Sequence, residues 1–334
     1  MERYRAVMLT RRGGPEVLET VDLPVREPGP GEARLRVRAT GAGGTDVTMR
    51  RGRYAFAPPI PFVPGYEVVG DVEALGRGVT GIQVGDRVAA LVVHGGYAER
   101  IVRPARELIP VPAGLDDGLA VALILNYVTA YQAIHRVARV QPGQTALVTG
   151  ANGGVGTALL DLLRLAGARV FGAAGRLHHE AVREAGAIPI DGRTQPIDRA
   201  LREVLPAGVD VAFDGLGGRF VLPTLRATRR GGHVVGYGFS GAGPNRIASV
   251  AGIAALLLGA PLAGRRSSFY GITLRYRRDP APFREDLATL FGLLAAGRIR
   301  PRIAARLPLL AAREASEWLE RGGVQGKIVH LASA

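Results

Sequence analysis

The chain has 334 residues, of which 47% are hydrophobic and none is cysteine, and its formal net charge at pH 7 is +14. This length allows two domains with separate hydrophobic cores, and the lack of cysteine excludes disulfides, thiol nucleophiles and cysteine-ligated zinc or iron–sulfur centres. The positive charge comes from arginines scattered through every segment beside a single lysine, Lys327, so it predicts no nucleic-acid-binding arm.

The first 118 residues are rich in glycine, proline and short β-type runs. Residues 1–10 lack the long apolar region of a signal peptide and are typical of a first strand. Further strands are predicted at residues 33–39, 67–73, 86–93 and 97–102. Such a series predicts a small, mostly antiparallel, barrel-like domain. Residues 119–140 then form a predicted helix that leads into a second domain.

A glycine-rich turn between an apolar strand and an apolar-periodic helix follows at residues 145–176. Residues 145–149 and 169–174 are predicted strands, and the helix between them begins near Val155. The turn permits close approach of helix N-terminal amides to a pyrophosphate. Its predicted cofactor-binding residues are Gly150, Asn152, Gly153, Gly154, Val155 and Gly156. Strand, turn, helix and strand in this order predict a dinucleotide-binding βαβ unit.

The end of the second strand bears on which dinucleotide binds. NAD-selective sites usually place an acidic residue about 20 residues beyond the glycine motif, where it holds the ribose hydroxyls. Here that place holds Gly175 and Arg176, with His178 and His179 close behind. Arg176 and His179 are therefore predicted to face a 2′-phosphate, and NADPH is predicted in preference to NADH. The alternative is that Arg176 is one more solvated arginine.

The strand pattern continues at residues 188–191, 209–214, 233–238 and 268–274, with helical stretches between most of them. Together with the two strands of the βαβ unit, these make six parallel strands. The uncharged stretch at residues 247–263 is too short to span a bilayer, which needs about 20 residues. We expect a buried or interface helix there, and a soluble cytoplasmic protein.

The last sixty residues return to a different pattern. Helices are predicted at residues 282–296 and 310–321, and a final strand at residues 327–331 rejoins the first domain. The predicted fold is thus α/β, with one mostly-β domain made of residues 1–122 and 275–334. A doubly wound, six-stranded dinucleotide-binding domain, residues 123–274, is inserted into it.

Several motifs in order resemble those of the medium-chain dehydrogenase/reductase superfamily, most closely its zinc-free quinone oxidoreductase branch, which includes zeta-crystallin. They are PFVPGYEVVGDVEALGRGVTGIQVGDRVAAL at 61–91, GGYAER at 95–100, LNYVTAYQAIHRV at 125–137, VTGANGGVG at 148–156, VDVAFDGLGG at 209–218 and GKIV at 326–329. The resemblance covers almost the full length. It implies a GroES-like catalytic domain, a Rossmann cofactor domain, a cleft between the two, and commonly a homodimer.

Two departures from the zinc-dependent relatives are informative. Those enzymes carry a cysteine where Gly43 stands and a histidine where Tyr66 stands. The four cysteines of their structural zinc loop are also missing, and the six histidines of this chain show no metal-ligand spacing. The resemblance therefore implies no metal, and with it no Lewis acid to stabilise an alkoxide.

A metal-free hydride transfer from reduced nicotinamide suits an acceptor that disperses its negative charge, such as a quinone or an α,β-unsaturated carbonyl. Of the two tyrosines in the corresponding family motif, this chain keeps Tyr54 and has Thr48 in place of the other. Tyr54 is the first candidate to contact the acceptor and Tyr66 the second. The alternative for both is that they only shape an apolar pocket, with protonation by solvent.

The resemblance also implies cofactor contacts outside the glycine motif. They are Asn126, Thr129, Gly238, Phe239 and Lys327. For Lys327 the alternative is a solvated strand end. Two other functions stay open, an enoyl-thioester reductase acting on acyl-CoA or carrier-bound chains and a non-catalytic NADPH-binding protein. The expected partner is a small molecule, not a nucleic acid or a membrane.

Overall fold

The computed structural model describes residues 2–54, 56–192, 194–239 and 246–333, of which 246–250 are described by their backbone alone. Contacts within the chain define two compact units. Unit 1 comprises Met1–Leu125, Thr273–Gly297 and Ile303–Ala334, and unit 2 comprises Asn126–Ile272 and Arg298–Arg302. The short segment Arg298–Arg302 lies outside the predicted second domain. It joins unit 2 because the Arg300 N–H donates to Asp161 at 2.8 Å and Arg302 pairs with Glu184 at 3.0 Å.

Unit 1 contains a strand pair and a seven-stranded sheet. The pair is antiparallel, β1 (Arg3–Leu9) with β2 (Leu18–Pro24). The sheet consists of β3 (Glu32–Ala42), β4 (Glu67–Leu75), β5 (Arg87–Leu91), β6 (Arg100–Pro104), β7 (Ile109–Pro110), β14 (Ile303–Pro308) and β15 (Lys327–Leu331). All its pairings are antiparallel except that of β14 with β15. The predicted antiparallel first domain is confirmed.

The long strand β3 organises this sheet. It pairs with β4 along most of its length, with β6 near its start and with β15 near its end. Its alternate residues Ala33, Leu35 and Val37 are buried against Val68 and Val88 of the neighbouring strands, as the two-residue period of a strand requires. The sheet therefore carries its own hydrophobic core.

Among the described residues, four α-helices lie wholly in unit 1. They are α1 (Gly44–Arg50), α2 (Asp117–Ala122), α10 (Ala281–Ala295) and α11 (Ala312–Arg321). A fifth helix, α9 (Ile272–Arg278), belongs to unit 1 from Thr273 onward. The predicted helices at 282–296 and 310–321 are α10 and α11, to within two residues. The acidic residue Asp46 lies in the first turn of α1, where the positive end of the helix dipole stabilises a carboxylate.

Unit 2 is a doubly wound parallel sheet, as predicted. Its strands are β8 (Thr145–Thr149), β9 (Arg169–Ala174), β10 (Ile188–Asp191), β11 (Val209–Asp214), β12 (Thr228–Gly236) and β13 (Arg266–Phe269). Their order in the sheet is β10-β9-β8-β11-β12-β13, and every pairing is parallel. The order reverses beside β8, which is the ligand-binding position of such folds.

Helices connect the strands of unit 2. They are α3 (Val128–Tyr131), α4 (Gly154–Leu165), α5 (His179–Glu184), α6 (Ile197–Val204), α7 (Val221–Ala227) and α8 (Arg246–Leu262). Apolar residues of α6, α7 and α8 and of the strands form one core that includes Leu147, Phe171, Leu201 and Val234. Four predicted strands coincide with observed ones because their apolar runs are short and end at turn residues.

The sixth predicted strand, residues 268–274, is wrong in its second half. The strand is Arg266–Phe269, and Ile272–Arg278 is helical. Apolar and polar residues alternate too briefly here to distinguish a strand from a helix. Three arginines in the last turn of α9 complement the helix dipole. This correction places Thr273 in the first turn of a helix.

Other boundaries also differ from the sequence prediction: the strands predicted at 33–39, 67–73 and 86–93 are Glu32–Ala42, Glu67–Leu75 and Arg87–Leu91. The strand predicted at 97–102 is Arg100–Pro104, and the one predicted at 233–238 is Thr228–Gly236. The predicted helix at 119–140 runs over Asp117–Ala138, in which α2 and α3 (Val128–Tyr131) are each followed by π-helical turns, Leu123–Tyr127 and Gln132–Ala138. By length and composition it is apolar enough to cross a membrane, but 83% of its most apolar window is buried inside the protein. Burial therefore accounts for its apolar sequence.

Candidate functional site

The glycine-rich turn after β8 is too crowded for side chains. Gly150 has a φ of +65°, a region that favours glycine. A methyl carbon at Gly156 would lie 2.2 Å from the carbonyl oxygen of Gly150. Gly153 is the N-cap of α4, and Gly154 and Val155 are its first residues. Asn152 lies in the same turn. The backbone amides of this helix start are thus open to a ligand, since the first N–H groups of a helix have no intrahelical partner.

Asn126 and Thr129 lie beside this turn within unit 2. A methyl carbon at Gly154 would lie 2.4 Å from Asn126 Nδ2, so the absence of a side chain there makes room for Asn126. Both residues are buried. Thr129 Oγ1 has no hydrogen-bond partner among the described residues, and buried hydroxyls are normally satisfied. The turn and this unsatisfied hydroxyl both fit a bound dinucleotide.

Arg176 and His179 follow the carboxyl end of β9. Arg176 Nε donates to Asp191 Oδ2 at 2.8 Å, and the arginine side chain is 78% exposed. His179 Nε2 lies 3.2 Å from the carbonyl oxygen of Ala174. An exposed ion pair contributes little stability, so the Arg176–Asp191 pair leaves the guanidinium accessible to a phosphate.

Gly238 and Phe239 extend beyond the end of β12. The ring of Phe239 stacks on Phe269, with centroids 5.1 Å apart. A methyl carbon at Gly238 would lie 2.6 Å from the carbonyl oxygen of Gly215. The loop after β12 and the loop after β11 therefore approach each other closely through their backbones, and this approach needs a glycine at position 238.

The neighbouring loop is held by Asp214, which the sequence analysis did not single out. This buried carboxylate accepts the Thr149 hydroxyl at 2.6 Å and the Leu216 N–H at 3.1 Å. Burial raises the pKa of Asp214, while these hydrogen bonds favour the charged form. It ties β8 to the loop after β11. Asp214 is part of the motif VDVAFDGLGG, but a single carboxylate at the end of a strand does not by itself predict which groups it contacts.

In unit 1, three hydroxyls meet, and we call Tyr54, Tyr66 and Thr273 the hydroxyl triad. Tyr54 Oη lies 2.5 Å from Tyr66 Oη and 2.8 Å from Thr273 Oγ1, and Tyr66 Oη also contacts Thr273 Oγ1. Tyr66 and Thr273 are fully buried, whereas Tyr54 is partly exposed. The structure thus brings together the two tyrosines proposed from the sequence. Thr273 was missed because its segment was predicted as strand.

Both phenols of the hydroxyl triad are neutral donors near pH 7. Burial is the largest effect on each and raises the pKa of Tyr54 and of Tyr66. The hydrogen bonds from Thr273 oppose this shift without reversing it. The hydroxyl triad therefore offers protons for hydrogen bonding and carries no charge of its own.

A buried group of charges, Asp46, Glu67 and Lys327, lies in the same unit. Lys327 forms an ion pair with Glu67, and both side chains are buried. Burial raises the pKa of Glu67, an effect that the ammonium of Lys327 opposes. Burial raises the pKa of Asp46 to about 6. Lys327 is not a solvated strand end, which corrects that alternative, and its contact with the cofactor stays a prediction.

The donor set does not fit zinc. Gly43 has no side chain to ligate, and the hydroxyl of Tyr66 is engaged in the hydroxyl triad. No three histidine or acidic side chains gather in metal-binding range within the part of the chain that the structure describes. Tetrahedral zinc sites need cysteine, histidine or carboxylate ligands together, so no step of the chemistry is assigned to zinc.

Two known protein-family models match segments of this chain. The alcohol dehydrogenase GroES-like domain matches residues 29–113, and the zinc-binding dehydrogenase family matches residues 185–329. The name of the second family implies a metal that these residues do not fit.

Curated relatives extend the likeness. The quinone oxidoreductase of Lama guanicoe is 31% identical over 98% of this chain and 97% of its own. The human synaptic vesicle membrane protein VAT-1 homolog is 36% identical over 72% of this chain, and the matched part spans 63% of that protein.

A solved structure of a mycobacterial protein complexed with NADPH is 30% identical, with a TM-score of 0.86 over 98% of this chain and 99% of its own. That complex shows that a fold of this kind holds a nicotinamide dinucleotide. The chain belongs to the medium-chain dehydrogenase/reductase superfamily, in the branch of the quinone oxidoreductases.

Proposed function

We propose that this chain is a zinc-independent, NADPH-dependent reductase that transfers hydride to a quinone or an α,β-unsaturated carbonyl. The observation that carries the proposal is the hydroxyl triad, since it puts a hydrogen-bonded phenol where zinc-dependent relatives have a metal ligand. Neutral hydroxyl donors suit an oxygen whose developing charge is delocalised. They suit less well an alkoxide, for which relatives use a Lewis acid.

The roles of the residues follow from their chemistry. The bound nicotinamide supplies the hydride. In unit 2, the amides of the turn from Gly150 to Gly156 hold the pyrophosphate, Asn126 and Thr129 contact the nicotinamide end, and Arg176 with His179 holds the 2′-phosphate. In unit 1, Tyr54 donates a hydrogen bond to the acceptor oxygen, supported by Tyr66. The enolate or phenolate that forms is protonated afterwards.

We further propose a cytoplasmic homodimer. The resemblance to dimeric relatives supports the assembly, and the exposed leucines of α8 described below agree with it. The contact of Lys327 with the cofactor, and those of Gly238 and Phe239, are carried over from the family motif. NADPH in preference to NADH depends on Arg176.

A panel of acceptors read by NADPH absorbance tests the function. We expect turnover with 1,4-quinones or small enones, unchanged after dialysis against a chelator and without added zinc. Loss of activity on chelation would refute the metal-free mechanism. Turnover of crotonyl thioesters with none of quinones would assign the chain as an enoyl-thioester reductase instead. NADPH binding without turnover of any acceptor would indicate a non-catalytic binding protein.

A further inference from the structure

The hydroxyl triad is a closed group in which every oxygen lies within hydrogen-bonding distance of the other two. Two of its members are fully buried, with Tyr66 and Thr273 each 1% exposed. Tyr54 is the member with exposed surface. An acceptor oxygen therefore has access to the hydroxyl triad through Tyr54.

Each hydroxyl of the triad has one proton to donate and lone pairs to accept others. When Tyr54 donates its proton outward to an acceptor oxygen, its own oxygen remains free to accept from Thr273. A hydrogen bond into the Tyr54 oxygen polarises its O–H and strengthens the outward donation. Thr273 suits this task because its branched side chain has a restricted χ1 and it stands in the first turn of α9.

We propose that Thr273 is a positioning residue, whose hydroxyl holds that of Tyr54 so that the phenolic proton points at the acceptor oxygen. The inference rests on the proposed function, in which that oxygen gains negative charge as hydride arrives. Thr273 acts through Tyr54 and does not touch the acceptor. The position of the acceptor carbonyl is thus set by Tyr54 together with Thr273, beside Tyr66.

Substitutions at Thr273 test the inference in the full-length protein with NADPH and the best acceptor of the panel. Thr273→Val keeps the shape and removes the hydroxyl, whereas Thr273→Ser keeps the hydroxyl. We expect Thr273→Val to lower kcat roughly ten-fold, the effect of one hydrogen bond, with both KM values unchanged, and Thr273→Ser to retain most of the activity. Thr224→Val is the matched control, because Thr224 is also fully buried and donates to the Phe220 carbonyl at 2.8 Å.

A double-mutant comparison separates positioning from packing. Thr273→Val should have no further effect in a Tyr54→Phe background, because the hydroxyl it orients is already gone. Additive losses, or a Thr273→Val enzyme with the kcat of the wild type, would overturn the inference. So would a fall in kcat for Thr224→Val as large as that for Thr273→Val.

A second measurement does not depend on turnover. The ultraviolet titration of Tyr54 is the difference between the titrations of the wild type and of Tyr54→Phe. The hydrogen bond from Thr273 lowers the pKa of Tyr54, so in Thr273→Val this titration should move to higher pH. This shift in a protein that reduces no acceptor would reject the proposed function alone. Turnover without the shift and without a change in kcat would reject the inference alone.

Discussion

Lys327 is the only lysine of an arginine-rich chain, and its surroundings fit an ammonium better than a guanidinium. Its side chain is packed against Glu67 and Gly41, where a methyl carbon on the glycine would lie 2.3 Å from Lys327 Cε. An ammonium is compact, whereas a guanidinium is a broad planar fork. Breaking a buried pair leaves an uncompensated charge, so both partners must be retained.

Asp46 belongs to the same charged group, and its raised pKa lies where solution measurements can follow it. Burial is the largest cause of its raised pKa of about 6, and the charge of Glu67 raises it further while that of Lys327 lowers it. The folded protein holds this proton more tightly than the unfolded chain, for which the ordinary value is 3.8. The contribution of Asp46 to stability therefore falls as pH rises from about 4 to about 6.

Asp46→Asn should remove this pH dependence, because the amide does not ionise and its oxygen can still accept the Gly43 N–H. We expect the free energy of unfolding of the variant to rise relative to the wild type between about pH 4 and pH 6, by on the order of 1–3 kcal/mol. Urea denaturation of both proteins at several pH values measures it. A difference that does not vary with pH would contradict the raised pKa.

Arg176→Ala tests the 2′-phosphate contact. Because NADH lacks that phosphate, the variant should lose roughly ten-fold or more in affinity for NADPH and little for NADH, as expected for one charge-assisted contact. Fluorescence titration with each cofactor measures both constants. Arg183→Ala is the matched control, since Arg183 pairs with Glu180 on α5 in the same exposed region. Equal losses for the two cofactors would refute the phosphate role.

At the scale of elements, the glycines of α10 have opposite requirements. Gly292 lies inside the helix, on its exposed side, and a methyl carbon there would meet nothing within 4 Å. Gly297 follows the helix end with a φ of +64°, and its N–H donates to the Leu294 carbonyl at 3.0 Å. The first position thus disfavours glycine, and the second requires it.

Gly292→Ala should raise the free energy of unfolding by about 0.5–1 kcal/mol, because alanine restricts the unfolded chain and favours the helix. Gly297→Ala should lower it by about 1–2 kcal/mol, because the left-handed conformation strains an alanine. Chemical denaturation gives both values. A destabilised Gly292→Ala protein would mean that the exposed helix face has contacts in the assembled protein.

Elements with strong local signals were predictable from the sequence, and strands with few buried residues were not. Strand β8, the glycine turn and α4 were predicted because apolar period and glycine positions agree there. Strands β2 and β14 went unpredicted, since their residues are mostly exposed or only partly buried and form no long run of apolar side chains. Thr273 was missed for another reason, because only the fold brings it to Tyr54.

At the scale of the whole molecule, part of the arginine excess is used in ion-pair networks. Arg34 pairs with Glu27 at 2.8 Å and with Glu73 at 2.9 Å, and Arg100 shares Glu73 at 2.9 Å. These side chains connect β3, β4 and β6. A network of this kind contributes more than isolated surface pairs do. These arginines therefore stabilise unit 1, and their charge does not indicate that the protein binds an acidic macromolecule.

The exposed leucines of α8 bear on the assembly of two chains. Leu258 is 68% exposed and Leu262 is 90% exposed, beside the partly exposed Leu257. Helix α8 packs next to β13, the last strand of the parallel sheet. Exposed apolar patches are typical of surfaces that contact a partner. The homodimer proposed above makes a second copy of this chain the expected partner.

Leu258→Glu and Leu262→Glu together should therefore weaken the proposed dimer, because association would bury two carboxylates against an apolar surface. Size-exclusion chromatography with light scattering should give about twice the chain mass of 35.2 kDa for the wild type and a shift toward that mass for the double variant. Val84→Glu is the control, since Val84 is 60% exposed in unit 1 and should leave the mass unchanged. A wild type that is monomeric at micromolar concentration would refute the dimer itself, and a double variant of unchanged mass would move the interface away from α8.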